Sequence, residues 1–475
     1  MRGFILVLPQ LILILLTLIS RDASSQESIN ETLGLADYVM GTKEHQPFKD
    51  LGITWGGWIQ AGVTANANAP QDGYNGPVTF GDRSGQLQLN QFYLYLQKST
   101  DIQGEHWDIG GRFDAVYGED AIFTQAYGVP YVNPGNPNQP LQRNNWDLNL
   151  GSHNNPYNAF ALPQAYVSLN VPIGNGLGVK AGHFYTPIGY EVVTAPDNFF
   201  YTKPYTFQYG EPFTHTGILA DYSINENWSA MVGAVTGSAT GGWDGGFNQQ
   251  LGNWDFIGMG AWNSDEETYA LSVSGTAGER SYSNPGSSSF WGLYSVIGKA
   301  NWLDNALHYV IQHDHGFANG VWNSMLNQEI NAQWYGINQY LMYDLLEDLG
   351  IGLRAEWWRD ANGFRLSGPA RCSASQNVTN ANQTPPQSQP FAGSCSAFAN
   401  NAYRNLTGPG SWNNAGMGAN YYELTAGINY KPIRWVIIRP NLRYDFSQGA
   451  SMFLNAQGQA IDYQFTFSFD TTIVF

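Results

Sequence analysis

Hydrophobic and polar positions alternate with a period of two along most of this chain. The terminal stretch YQFTFSFDTTIVF sets Tyr463, Phe465, Phe467, Phe469, Ile473 and Phe475 on one side of an extended strand, against Gln464, Thr466, Ser468, Asp470 and Thr472 on the other. GITWGGWIQAGVT, HWDIGGRFDAVYG, GIGLRAEWW, YYELTAGINYK and RWVIIRPNLRYDF divide in the same way. Their polar faces carry Arg, Asp, Gln, Asn, Thr and Gly rather than the Lys and Glu usual against bulk water. Their apolar faces have aromatics near the ends, as the interfacial girdles of a membrane barrel require.

The pattern predicts strands near 52–64, 87–97, 106–117, 161–171, 176–184, 213–224, 228–237, 254–262, 267–276, 291–301, 306–315, 333–345, 349–358, 421–431, 434–446 and 462–475. Short connectors (172–175, 225–227, 263–266, 303–305, 432–433) alternate with long ones (118–160, 185–212, 359–420, 447–461). The expected fold is therefore all-β: a transmembrane antiparallel barrel of about sixteen strands, with short periplasmic turns and long external loops. Lipid leaves no sheet edge unpaired, so the last strand must close on the first. Two strands, 87–97 and 306–315, alternate weakly, and Pro440 inside RWVIIRPNLRYDF predicts a bulge.

Composition agrees. Of 475 residues only 12% are charged, about half the soluble norm, while the mean hydropathy of −0.30 excludes a helical membrane protein. MRGFILVLPQLILILLTLIS followed by Ala23-Ser24-Ser25 reads as a signal peptide, residues 1–25, the alternative being an uncleaved anchor. Without Arg2, Arg21 and Asp22 the chain keeps 19 basic and 37 acidic residues, a net −18, which argues against nucleic acid as a partner. Residues 26–50 form a short periplasmic segment with a small helix near 33–41, ahead of a barrel over 51–475. Cys372 and Cys395 lie in one Ser/Asn/Pro/Gln-rich stretch and read as a local disulfide, or else as two free thiols.

The connector YTPIGYEVVTAPDNFFYTKPYTFQYGEP is aromatic and stiffened by proline. It is expected to fold into the lumen as a constriction loop, the alternative being an external loop or subunit contact. Its candidate residues are Glu191, Asp197, Phe199, Phe200, Tyr201, Lys203 and Glu211. Lumen-facing positions carry Arg112, Asp114, Lys180, Arg354, Glu356, Arg439, Arg443 and Asp445. An acidic loop opposite a basic wall would place a field across the eyelet; the other reading is that these charges pair within the wall. On the first reading, neutralising Arg439 and Arg443 shifts ion preference toward cations.

AGHFYTPIGYEVVTAPDNFFYTKPYTFQYGEPFTHTG resembles the OmpL-like β-barrel porin family. So do GWIQAGVTANANAPQDGYNGPVTFGDRSGQLQLNQFYLYLQ, WYGINQYLMYDLLEDLGIGLRAEWWRDANGFR and RPNLRYDFS, so that the similarity runs from about residue 50 to the end. The insert 366–415 is peculiar to this sequence. The resemblance implies an outer-membrane porin and carries no residue-level mechanism. The terminal Phe475 resembles the signal read by barrel-assembly machinery.

A hydrolase would need a nucleophile with a His in reach. His183 and His215 flank the 185–212 connector, the third long loop of the chain, and His313 and His315 share one strand face, but no nucleophile motif accompanies them and two ligands make no metal site. An adhesin or structural barrel with a plugged lumen is the second rival. The expectation is a porin in the outer membrane of a double-membraned bacterium, passing small hydrophilic solutes and ions. It uses no cofactor or metal, contacts outer-membrane lipid, and has a size that fits a homotrimer.

Overall fold

The computed structural model describes residues 34–40, 48–71, 73–101, 106–124, 131–133, 136–141, 158–236, 254–280, 289–323, 328–363, 365, 418–449 and 451–475. The signal stretch 1–25 and the whole 366–415 insert, with Cys372 and Cys395, lie outside the described residues. The small helix expected near 33–41 is present as Leu35–Met40.

Sixteen strands close into one barrel. In chain order they are β1 (Ile53–Asn66), β2 (Leu87–Lys98), β3 (Asp108–Gly118), β4 (Ala159–Val171), β5 (Leu177–Tyr185), β6 (Thr214–Ser223), β7 (Trp228–Thr236), β8 (Trp254–Asn263), β9 (Tyr269–Arg280), β10 (Ser289–Trp302), β11 (Leu307–Asn323), β12 (Gln328–Leu346), β13 (Leu349–Asp360), β14 (Ala419–Ile433), β15 (Val436–Gln448) and β16 (Tyr463–Val474). Every neighbour is antiparallel, and β16 closes on β1 from Trp58↔Val474 to Asn66↔Thr466. Gly57 and Phe475 extend the seam with reciprocal backbone hydrogen bonds of 3.0 and 2.9 Å. No ladder edge is left to lipid, which is the condition for spanning a bilayer with strands.

The faces follow the sequence. Along β16, Tyr463 and Phe465 are exposed and Phe467 and Phe469 half-exposed, while Gln464, Thr466, Ser468, Asp470 and Thr472 are buried inside. The weak alternation of β2 has a cause: a bulge opposite Gln60/Ala61 leaves Asn90 without a cross-strand register partner. One extra residue flips the face, so Leu87 points outward on odd numbering and Phe92, Leu94 and Leu96 on even. On β11 the outward row is Tyr309, Ile311, His313, His315 and Phe317, and the two histidines dilute the apolar signal. The sequence pattern ends this strand at 315 and starts the next at 333. The ladder instead runs on to Asn323 and begins at Gln328, because backbone pairing does not depend on side-chain alternation.

Pro440 makes no bulge against β16, where Pro440 sits opposite Phe469 in unbroken register. Its missing N–H is accommodated on the other side: pairing to β14 skips from Gly427↔Asn441 to Tyr430↔Ile438, and the register shift falls later, between Tyr430 and Ile433.

Candidate functional site

The connector between β5 and β6 leaves one wall, enters the lumen and docks on the strands opposite. Three features of its sequence allow this. Gly189 adopts φ +98, a turn open to glycine. Ala195–Asp197 makes a short 3-10 turn around Pro196. Thr206–Gly210 forms one π turn closed by Glu211 N to Thr206 O at 3.1 Å.

Inward-facing arginines of β13 and β15 meet the loop backbone. Arg354 donates from Nη1 to Thr202 O and to Glu191 Oε1, both at 2.6 Å, and from Nε to Glu423 Oε2 of β14 at 3.0 Å. Arg439 donates to Ala195 O at 2.6 Å and Asn198 O at 2.9 Å while pairing with Asp470 of β16. Arg443 donates to Lys203 O and pairs with Asp445 at 2.7 Å. Glu356 completes the dock from the opposite sign. It accepts from Tyr205 N at 2.6 Å, Thr206 N at 2.7 Å and Thr206 Oγ1 at 2.7 Å, where the free N–H groups of the π turn begin. Asp445 accepts from Tyr205 Oη at 2.7 Å, and Asn441 Oδ1 from Tyr201 N at 2.9 Å.

Wall glycines make room for the loop's aromatics. A Cβ on Gly352 would lie 2.6 Å from Phe199, and one on Gly427 2.8 Å from Phe200. Phe200 packs with Ile297, Val310, Tyr340 and Met342 of β10–β12, and the Arg354 guanidinium lies over its ring at 5.1 Å. Toward β2, Gln91 donates to Val193 O at 2.7 Å, and Tyr201 Oη donates to Asn90 Oδ1 at 3.1 Å. Described residues of two more connectors join the loop. Phe80, from the connector after β1, and Phe123, from the short helix Glu119–Thr124 after β3, form one cluster with Val193, Phe207 and Phe213.

Of the loop charges singled out in the sequence, Glu191, Lys203 and Glu211 are buried and Asp197 is exposed. Lys203 lies 3.2 Å from Glu191, donates to Val192 O, and sits over Phe207; burial pulls its ammonium down to about 8. Burial and the neighbouring Asp314 push the Glu211 carboxyl well above its ordinary range. In the connector helix, burial raises Glu119 in the same direction, with Asp82 adding to it, and brings Asp120 up to about 6.

The wall residues divide. Arg354, Glu356, Arg439, Arg443 and Asp445 converge on the loop. Arg112 and Asp114 pair at 2.7 Å on β3, with Tyr93 and Gln164 also on Asp114. Lys180 lies half-buried against the rings of Tyr166 and Phe184. The arginines of β13 and β15 thus spend their donors on loop carbonyls and carboxylates rather than facing an open eyelet. Sequence reading missed Gln91, Gln312, Glu423, Asn441 and Asp470. Their one signal was position on a polar strand face.

The histidines form no joint site. His183 pairs in register with Thr216, and the adjacent Phe184 with His215, so successive side chains point to opposite faces. Each has a hydroxyl partner, Thr216 at 2.8 Å and Thr186 at 2.9 Å. His315 lies between Tyr294 and Tyr335 on the outer face, and no metal-binding group of three or more His, Cys, Asp or Glu occurs among the described residues.

A closed sixteen-strand barrel with an apolar exterior, a polar interior and a loop folded into its lumen defines an outer-membrane channel. The chain matches the family described as "Putative beta-barrel porin-2, OmpL-like" over residues 52–475 and belongs to it. It is a porin of the outer membrane of a Gram-negative bacterium. Among solved structures it is similar to OprB of Pseudomonas putida, with 13% identity over 94% of this chain and 99% of that one and a TM-score of 0.53. It is also similar to the outer membrane channel DcaP of Acinetobacter baumannii, with 10% identity over 89% and 97% and a TM-score of 0.50. At these identities the likeness concerns the fold. No curated protein matches the chain.

Proposed function

We propose that the third external loop is the constriction of a passive channel for small hydrophilic solutes and ions, held across the lumen by Arg354, Arg439 and Arg443. The observation that carries this reading is the contact between three buried wall arginines and the loop's backbone carbonyls. Backbone contacts fix the path of the chain whatever its side chains, and a fixed path sets an aperture. Asp197 is then the loop charge left to meet a passing ion, with Lys180 on the wall. The barrel carries out no catalysis and needs no cofactor. Residues 1–25 serve export, Cys372 and Cys395 form a disulfide, Phe475 is read by the assembly machinery, and the lipid-embedded barrel assembles as a homotrimer.

The test is conductance of the refolded, signal-free protein in a planar bilayer under a salt gradient. Discrete steps of uniform size are expected, with current noise rising when the loop's tethers are cut. A heat-modifiable, correctly folded barrel that gives no steps would overturn the reading in favour of a plugged surface barrel.

A further inference from the structure

Two carboxyl groups meet where the end of the third loop reaches β11. Glu211 and Asp314 accept from the same amide nitrogen, Gln312 Nε2, and both are sealed from water, at 2% and 1% exposure, with Asp314 Oδ2 left without a hydrogen-bond partner. Gln312 sets its amide between them, donating to Glu211 Oε1 and, at 2.9 Å, to Asp314 Oδ1. The same side chain accepts from Tyr190 N at 3.3 Å, which ties the two limbs of the loop to one wall residue. The other face of Glu211 rests on Gly189, where a Cβ would lie 2.1 Å from Oε2.

The surroundings supply no paired Lys or Arg, and the charged group that favours an ionised Asp314 is the neighbouring His313, when protonated. Within the loop Glu191, itself paired with Lys203, adds to the negative field at Glu211. Ser295 of β10 offers a hydroxyl near Gln312, at 3.4 Å. Tyr340 of β12 is a phenol. His313, next on β11, turns its ring outward and bonds to Gly336 O. Among the described residues no Lys or Arg lies within ion-pair distance of either carboxyl. Two carboxylates buried on one amide nitrogen without a paired Lys or Arg are costly to ionise together, which favours keeping one proton between them.

We propose that Glu211 and Asp314 share one proton that latches the exit limb of the third loop to β11, and that alkaline medium removes it and frees this limb. The inference rests on the loop being the constriction. The sign follows from the carboxyl held above its ordinary range: its contribution to docking is complete below that range and is lost as pH rises through the pair's own value. Lys203, on the same loop, works in the opposite direction. Its buried ammonium costs less as it deprotonates.

The test records single-channel conductance from about pH 5 to about pH 9 for the wild type and Glu211→Gln. Wild-type steps should become larger and noisier toward alkali. Glu211→Gln, permanently neutral and still able to bond Asp314, should keep the acid-side record throughout. Wild-type steps indifferent to pH, or a variant that follows the wild type, would overturn the latch. An infrared difference spectrum, wild type minus Glu211→Gln in detergent at neutral pH, reads the proton without a current. A protonated-carboxyl band is expected. Its absence refutes the shared proton, whereas a band from a folded barrel without steps refutes the channel reading and leaves the proton in place. If Glu211→Gln fails to fold, Asp314→Asn serves in both measurements under the same criteria.

Discussion

Removing the Arg354 guanidinium should undock the third loop. In Arg354→Met the apolar stem stays in volume while five donor contacts vanish: to Thr202 O and Oγ1, to Glu191, and two to Glu423. Glu423 is left buried without this cation, and Glu191 keeps Lys203 alone. Breaking a buried pair from one side costs about 3–5 kcal/mol, because the abandoned charge stays desolvated. At about 1.4 kcal/mol per tenfold, the ratio of docked to undocked loop should fall by roughly two to three and a half orders of magnitude. The barrel ladder is untouched, so heat-modifiability should survive. Single-channel recordings should show frequent excursions to a larger conductance. Arg354→Lys keeps a charge but loses the planar fork that reaches Thr202 and Glu423 together, and should fall between. A folded Arg354→Met barrel with wild-type step size and noise would refute the tether argument.

Four further outcomes follow from the same geometry. Asp197→Asn removes the loop's exposed charge and should move the reversal potential toward anions while changing stability by less than about 0.5 kcal/mol, read by salt-gradient recording and thermal melting. Neutralising Arg439 and Arg443 to Gln, which charge pattern alone assigns a shift toward cations, should mainly raise current noise, since both donate to loop carbonyls; a pure selectivity shift with quiet steps would favour the open-eyelet reading instead. Gly352→Ala drives a methyl against Phe199 and should cost about 1–3 kcal/mol by overpacking, seen as a lower melting temperature or altered steps. Lys203 has its folded value brought from 10.5 to about 8, so its burial cost is full below about 8 and fades toward the unfolded value; wild type should gain stability relative to Lys203→Met across that interval, as followed by melting at rising pH.

What the sequence determined by itself was the barrel. Period-two alternation is local, and a bilayer without water forces the apolar row outward and the backbone into closed pairing. Sixteen segments and their facing could therefore be read from residues a few positions apart, and Phe465 and Thr466 needed no partner to declare their sides. The slip at Asn90 was hidden because a bulge is a relation between two strands. The work of the arginines was hidden for the same reason on a larger scale. Arg354 meets Thr202 across 152 residues and Arg439 meets Ala195 across 244. Whether a lumen-facing arginine faces water or grips a loop depends on where barrel closure brings that loop. Only the tertiary structure decides this, because the energy of a buried charge lies in the partner that the whole fold delivers to it.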